Sequence, residues 1–358
     1  MDPFSQPFVT GRHQLAEGPV PAVPVVSTTW TRADRLGAVA VRWGIGRYEY
    51  LVEPGLYAIG APDASAPVLV SANYKLSFDV LRRELEGQDV FVLVLETLGI
   101  NVWCAAGKGT FGTGELCRRI GNTGLDQVVS HRRVIVPQLG APGMAAHEVR
   151  RRTGFRVVYG PVEARDLPAF LASGRRATEA MRRKRFLLRD RTALVPMELV
   201  PALKYGLPLM AVLAVVAGFL GPGPRFLDNL ASHGAVAGLA ALTAVLCGAV
   251  LTPLLLPWIP GRAFAWKGAL AALLIGVPLI LGASVLLAKA PAARWADLTG
   301  LALLSTAMAS FFAMNFTGSS TYTSLSGVER ELRVAVPAQL ALGVLGLTGW
   351  VLSISLWR

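Results

Sequence analysis

The sequence predicts two domains in series: an α/β domain built on a doubly wound, mostly parallel sheet, then an all-α domain of five membrane-spanning helices. Three observations carry this reading. Short apolar strands alternate with amphipathic helices through the first half of the chain, as in a parallel sheet covered on both faces. Five apolar stretches follow, at about 203–220, 235–257, 266–287, 297–316 and 335–357. Each approaches the roughly 20 residues that cross a bilayer as a helix. Charge is sparse and lies toward the front. Only 16% of residues are charged, and residues 1–198 hold 26 of the 35 Lys and Arg and 19 of the 23 Asp and Glu. The net charge is +12 and the mean hydropathy +0.48.

Taken in order, residues 1–28 are rich in Pro and Gly and read as an irregular arm. Segments 39–43 and 48–52, split by Gly44 and Gly46, read as a β-hairpin. Residues 67–72 read as a strand. Residues 74–86 suit an amphipathic helix with Leu76, Val80, Leu81 and Leu85 on one face. The continuous apolar run 90–95 reads as a buried strand. A short helix at 113–120 has Thr113 as its N-cap. Strands at 134–136 and 156–159 flank a helix at about 145–153, and a helical segment begins at 167–172. The domain limits are then 1–172 for the α/β domain, 173–198 for a linker and 199–358 for the spans.

The linker carries Arg175, Arg176, Arg182, Arg183, Lys184, Arg185, Arg189 and Arg191. No aromatic residues interleave as base-stacking platforms, so nucleic acid is not the expected partner. Just ahead of a span, such a run reads as a basic belt facing anionic lipid at the cytoplasmic face. Residues 1–30 lack the basic start and long apolar core of a signal peptide. The α/β domain is therefore expected in the cytoplasm, on the inner membrane, with the C-terminus outside after five spans. Arg225, Lys289, Arg294 and Arg358 then fall on the outer side. Pro253, Pro257 and Pro278 are expected at kinks or span ends. The hydroxyl-rich segment 315–324 joins spans four and five, either as a ligand or docking contact or as a plain polar connector.

The chemistry concentrates in Asn101-Val102-Trp103-Cys104-Ala105-Ala106-Gly107-Lys108-Gly109-Thr110-Phe111. This stretch reads as a small-residue loop between a strand and a helix, where open α/β folds bring backbone close to a large ligand. Ala and Gly strip bulk from the carboxyl side of the cysteine, and Trp103 offers a flat apolar wall. The strand-end rule adds Asn73, Thr97, Thr113, Gln138, Leu139, Gly140, Ala141, Pro142, Gly143 and Gly160 to the same ligand rim. Cys104, Cys117 and Cys247 form no C-x-x-C pair and no zinc set, and three thiols are too few for an iron–sulfur cluster. Three readings of Cys104 stand side by side. A core cysteine needs nothing further. A nucleophile needs a base, and His13, His131, His147 and His233 show no triad pattern. A metal ligand needs room, which the small residues supply.

Residues 101–108 fit, position by position, the Asn-(Val/Ile)-Trp-Cys-Ala-(Ala/Gly)-Gly-Lys signature of the corrinoid protein of the mercury-methylation pair, the HgcA family. The resemblance extends to the layout, since that family sets a soluble corrinoid domain ahead of five spans. The α/β domain is also similar to the Rossmann-like corrinoid-binding domain of the corrinoid iron–sulfur protein of acetyl-CoA synthesis. The resemblance implies a corrinoid-dependent methyltransferase with a cobalamin-type cofactor. Cys104 would be the catalytic residue and the lower axial cobalt ligand. A strong donor trans to a methyl group favours its transfer with electron density on carbon, which suits Hg(II) and yields methylmercury. Remethylation would then need low-potential electrons from a ferredoxin-like partner with two 4Fe–4S clusters. The methyl source would be a methyltetrahydrofolate-linked system. Two rival readings are a membrane-anchored corrinoid methyl carrier acting on a cell metabolite, and a transporter or scaffold with a small-molecule sensor domain.

Overall fold

The computed structural model describes residues 3–14, 22–287, 295–319 and 325–356. The chain divides into two compact units, Met1–Arg185 and Phe186–Arg358. The first is an α/β unit. Its strands are β1 (Val9–His13), β2 (Val23–Val26), β3 (Gly55–Ile59), β4 (Val68–Ala72), β5 (Val90–Leu95), β6 (Arg133–Val136) and β7 (Arg156–Tyr159). Its helices are α1 (Arg32–Arg42), α2 (Lys75–Glu84), α3 (Val102–Lys108), α4 (Thr113–Asn122), α5 (Leu125–Val128), α6 (Ala146–Thr153) and α7 (Leu167–Ala172).

The strands form one sheet in the order β1-β2-β3-β5-β4-β6-β7. Strands β5, β4, β6 and β7 run parallel, and β2 runs parallel to β3. Strand β3 is antiparallel to β5, and β1 to β2, so the sheet is mixed, with four of its six strand pairings parallel as expected. All six residues of β5 are buried, as a central strand with both faces covered requires. Phe91, Leu93 and Leu95 pack with Ala105, Leu116 and Val149 on one face. Val90, Val92 and Val94 pack with Phe78, Leu85 and Phe170 on the other. The period-2 alternation of a strand thus divides the helices into two layers.

Within the parallel part the order reverses between β4 and β6. The connection from β4 leads one way to β5, and that from β6 leads the other way to β7. Such a reversal opens a crevice beyond the carboxyl ends of the strands. It is this feature that positions the site.

Two sequence expectations are corrected. The arm at 1–28 contains β1 and β2; buried Val23 and Val26 pack into the sheet and outweigh the local Pro and Gly content. The hairpin at 39–43 and 48–52 is absent, and residues 32–42 form α1. A capping box decides this: the Thr31 hydroxyl accepts from the Asp34 N–H at 3.1 Å, and Asp34 Oδ2 accepts from the Thr31 N–H at 2.9 Å. Of the second half only a bridge between Leu51 and Tyr74 remains. Strand β3, unread in the sequence, occupies the sheet position beside β5.

Helices α1 and α2 are joined by a buried charge network. Lys75 Nζ lies 2.7 Å from Asp34 Oδ1 and 2.6 Å from Asp79 Oδ2. Arg82 meets Asp34 at 2.9 Å and Asp79 at 2.8 Å, and donates to the Thr29 carbonyl at 2.9 Å. Burial alone would raise the Asp34 pKa, but the Lys75 and Thr31 hydrogen bonds override it and hold the carboxyl well below its usual range. Burial would lower Lys75, but Asp34 and Asp79 override it and raise the ammonium.

The second unit holds five helices long and apolar enough to cross a membrane: Leu188–Leu220, Phe226–Leu255, Phe264–Leu287, Trp295–Asn315 and Gly327–Leu356, here spans 1 to 5. Span 1 starts well before the expected 203, because Asp190 caps it by accepting from the Leu187 N–H at 3.1 Å. Pro253 lies inside span 2, Pro278 inside span 3, and Pro257 just beyond the end of span 2. Arg191 leaves the expected basic belt. It is buried and donates to the Leu254 carbonyl and, at 3.4 Å, to that of Pro253, orphan acceptors at the end of span 2. Spans pack through small residues: Gly248 and Gly268 both abut the Ala309 backbone, and Gly300 faces Gly346. Lys289, Arg294, Arg358 and residues 320–324 of the hydroxyl-rich segment lie outside the described residues. Residues Phe316–Ser319 form a 3-10 turn.

The charge network makes a prediction. Asp79→Ala leaves two buried cations short of a partner and costs about 3–5 kcal/mol. Because Asp34 is lowered, its contribution is present above about pH 4 and is lost as pH falls below it. Because Lys75 is raised, its contribution is lost as pH rises past about 10.4. Thermal unfolding of the full chain in detergent, followed by tryptophan fluorescence across pH, should show a plateau between these limits and a lower melting temperature for Asp79→Ala.

Candidate functional site

The site is assembled at the carboxyl ends of β4, β5 and β6. Its anchor is Asn73, buried immediately after β4. Asn73 Oδ1 accepts from the backbone N–H groups of Thr97 at 3.0 Å and Gly99 at 3.1 Å. Its Nδ2 donates to Glu96 Oε1 at 2.8 Å. The Thr97 hydroxyl lies 2.8 Å from both Asn73 Oδ1 and the Ile100 carbonyl oxygen. Leu98 and Gly99 are both left-handed, with φ of 57° and 67°, so the chain reverses sharply after β5. The reversal leaves Leu98 66% exposed on the rim. Glu115 of α4 completes the tie by accepting from the Glu96 N–H at 2.9 Å. Burial would raise its carboxyl, but the Glu96 N–H with Arg119 and Arg118 overrides that and lowers it.

The expected loop at 101–111 is mostly helix. Asn101 caps α3, its Oδ1 accepting from the Cys104 N–H at 2.9 Å. Gly109, at φ 80°, ends the helix as a left-handed cap. The alanines read as loop residues are helix formers on the inner face, where Ala105 and Ala106 are buried. Cys104 is half-buried and Trp103 and Val102 likewise, whereas Gly107 and Lys108 are exposed. Cys104, Gly107 and Lys108 are spaced i, i+3 and i+4, so they share the outer face of the helix. A side chain added at Gly107 would meet nothing within 4 Å. The cysteine thus borders open space one turn long.

Residues 138–143 form a 3-10 turn packed against α3. A Cβ on Gly140 would meet the Phe111 ring at 2.5 Å and Val102 at 3.3 Å, and one on Gly143 would collide with the Phe111 carbonyl. Gln138, Leu139 and Ala141 are half-buried and Pro142 is exposed, so this turn forms the second lip of the crevice. Arg182 donates to Gln138 Oε1 at 2.8 Å.

Thr113 is the first residue of α4, not its cap, which is Gly112. The Thr113 hydroxyl instead accepts from the Ala145 N–H at 2.8 Å and ties α4 to the start of α6. The Thr110 hydroxyl lies 3.4 Å from the Ala105 carbonyl.

The structure therefore brings 101–111, Thr113 and 138–143 together. Asn73 and Thr97 stand behind them as buried supports. Gly160 is internal: its N–H donates to the Val136 carbonyl at 2.9 Å, and a Cβ there would meet Ile135 at 3.0 Å. Glu96 and Glu115 went unread in the sequence, and Leu98 was read only as part of the rim loop 97–112. A carboxylate just past a strand and a hydrophobe beside a turn glycine were the available signals.

Among the described residues, no group of three or more His, Cys, Asp or Glu gathers to hold a bare metal ion. One outward cysteine, small neighbours and an open face fit instead a metal that brings its own equatorial ligands and takes one donor from the protein.

Residues 47–171 match the family model described as CO dehydrogenase/acetyl-CoA synthase delta subunit, CdhD. Over 123 residues the chain is 37% identical to the acetyl-CoA decarbonylase/synthase complex subunit gamma of Methanopyrus kandleri, covering 34% of this chain and 26% of that one. Over 121 residues it is 31% identical to the corrinoid/iron-sulfur protein large subunit of Moorella thermoacetica, covering 33% and 27%. The α/β unit is similar to subunits of multi-protein complexes. The chain spans about a quarter of the length of these relatives, and the matched family region ends ahead of the spans.

Replacing the anchor tests this construction. Asn73→Ala leaves the Thr97 and Gly99 N–H groups buried without an acceptor and costs about 2–3 kcal/mol. Asn101→Ala removes only a helix cap and costs about 1 kcal/mol. Chemical denaturation of the two variants should rank them in that order.

Proposed function

We propose that this protein is a membrane-anchored corrinoid methyltransferase that delivers a methyl group to Hg(II), with the Cys104 thiolate as the lower axial ligand of cobalt. The observation that carries this reading is the placement of Cys104. It sits half-buried on the outer face of a capped helix, by the crevice that opens between β4 and β6, one turn from a glycine with open space above it. The match of residues 47–171 to the CdhD model, together with the likeness over 121 residues to a corrinoid/iron-sulfur protein large subunit, supports the cofactor class. The eight-residue signature at 101–108 supports the mercury acceptor.

When bound, the corrinoid supplies an exchangeable methyl group on a metal whose reactivity the axial donor tunes. The chain's own residues do the rest. Asn101 accepts from the Cys104 amide and so fixes that residue in the first turn of α3. Ala105 and Ala106 bury the inner face and keep the helix against the sheet. Gly107, Gly109 and Thr110 offer backbone approach to a flat ligand, with Trp103 and Leu98 as apolar flanks. Residues 138–142 form the opposing lip. Lys108, exposed one turn after Cys104, suits an anionic edge of the ligand.

On this reading residues 1–172 form the corrinoid domain in the cytoplasm, 173–198 the junction and 199–358 an inner-membrane anchor with its C-terminus outside. Electrons come from a ferredoxin-like partner with two 4Fe–4S clusters, and the methyl group from a methyltetrahydrofolate-linked system. The names of the relatives favour one second reading, a corrinoid methyl carrier serving a cell metabolite.

Two measurements decide. In cells, Cys104→Ala should reduce methylmercury formation to background, while Cys117→Ala, whose thiol is buried in the core, should retain it. Full activity in Cys104→Ala cells would sink the proposal. Purified, reduced and methylated protein should transfer methyl to Hg(II) and not to a thiol. The absorption and paramagnetic spectra should show sulfur on cobalt in wild type and lose that signature in Cys104→Ala.

A further inference from the structure

The helical unit holds a second candidate site, independent of the corrinoid reading. The connection between spans 2 and 3, with the flanks of spans 3, 4 and 5, encloses an open cavity of about 1250 Å3. At its mouth Arg262 and Arg330 are exposed, and neither is in an ion pair among the described residues. Behind them Lys267 is buried and donates to the Leu256 and Ile259 carbonyls, each at 2.6 Å. An ammonium has three protons, so one remains for the cavity. The lining carboxylate, Glu331, accepts from the Ala265 N–H at 2.7 Å and caps span 3. The mouth thus carries three cations against one acid already engaged.

Deeper in, the lining is polar but unsatisfied. Gln339 and Thr306 are 8% and 7% exposed. Gln339 Nε2 lies 2.9 Å from Ser310 Oγ, while Gln339 Oε1 and Thr306 Oγ1 have no partner among the described residues. Either way round, the Gln339 amide leaves one polar atom free. Turned over, it accepts from the Ser310 hydroxyl and presents an N–H to the cavity. Gln339 lies eight residues along span 5 from Glu331, roughly 12 Å at 1.5 Å per residue. Leu273 and Val334 line the apolar flank and are exposed, so that flank is open toward the bilayer.

The order is therefore cations at the helix ends, hydrogen-bond donors below them, and an apolar flank facing lipid. We propose that this cavity binds one anionic glycerophospholipid: Arg262, Arg330 and Lys267 take the phosphate, and Thr306 and Gln339 take the ester carbonyls. A charged head matches the surplus of cations. The carbonyls match two buried polar side chains that nothing in the described chain satisfies.

The test uses full-length protein, delipidated in mild detergent and titrated with phosphatidylglycerol or phosphatidylcholine of identical chains, read by native mass spectrometry. Wild type should retain one phosphatidylglycerol and bind phosphatidylcholine at least about tenfold more weakly. Two interfacial cations contribute enough that Arg262→Gln with Arg330→Gln should weaken phosphatidylglycerol binding about thirtyfold. These side chains are exposed and unpaired among the described residues, so the melting temperature should not change. Gln339→Leu should weaken both lipids and keep their ratio. Equal binding of the two lipids, wild-type affinity in the double variant, or no retained lipid would each overturn the proposal.

Discussion

One amide side chain holds the site in place. Asn73, at the end of β4, accepts from two backbone N–H groups of the turn that follows β5 and donates to the Glu96 carboxylate. Strands β4 and β5 are already paired along their length. The amide extends that pairing past the strand ends, into a turn that otherwise has no ladder partner. Without it two buried N–H groups lack an acceptor, and the positive φ at Leu98 is not compensated. Because the turn is fixed, Asn101 arrives where it can cap α3, and Cys104 follows one turn into that helix. The chain of dependence runs from a strand end to a sulfur atom through side chain–backbone hydrogen bonds.

This explains what could be read from the sequence and what could not. Strand β5 was legible because six consecutive apolar residues admit few alternatives once glycine-rich turns bound them. Helix α2 was legible from its 3.6-residue period. The five helices long and apolar enough to cross a membrane were legible because length and apolarity are sequence properties. The hairpin expected at 39–52 was not there, since β-branched content lost to the Thr31–Asp34 capping box and to Lys75 and Arg82, which hold Asp34 from α2. Those partners lie 41 and 48 residues away in the chain, beyond any local pattern. The cysteine loop became a helix for a similar reason: Asn101 is a good cap, but nothing local says that its carbonyl side faces a sheet. Asn73 and Thr97 lie at the strand ends that the sequence rule names, but buried behind the rim. Their side chains point into the fold because the turn needs them.

The helical unit obeys a stricter rule. Carbonyls at a span end need donors, and water is scarce below the interface. Arg191 and Lys267 answer that need at the end of span 2, from span 1 and span 3 respectively. A basic residue near a span is therefore not automatically lipid-facing. Counting charges along the chain treats Arg191 as part of a belt, whereas its guanidinium serves as a cap. Arg262 and Arg330 are different in kind, since no carbonyl or carboxylate engages them among the described residues. Those two guanidinium groups, with the one ammonium proton that Lys267 keeps after capping, give the lipid proposal its direction.

If Cys104 is the one protein donor to a corrinoid, as proposed, that role sets a particular demand on the α/β unit. A site with four ligands can draw a metal into the fold and be shaped by it. A site with one ligand cannot, so the surface around Cys104 must already be open and level before anything binds. Gly107 one turn on and the left-handed Gly109 leave open space beside the cysteine, while Gly143 lets its turn approach the backbone at Phe111 and Gly140 sits against the Phe111 ring. Larger residues at Gly140 or Gly143 would push the 3-10 turn off α3 and tilt one lip of the crevice against the other. On this argument the glycines matter less for flexibility than for flatness, and the cysteine depends on them as much as on its own cap.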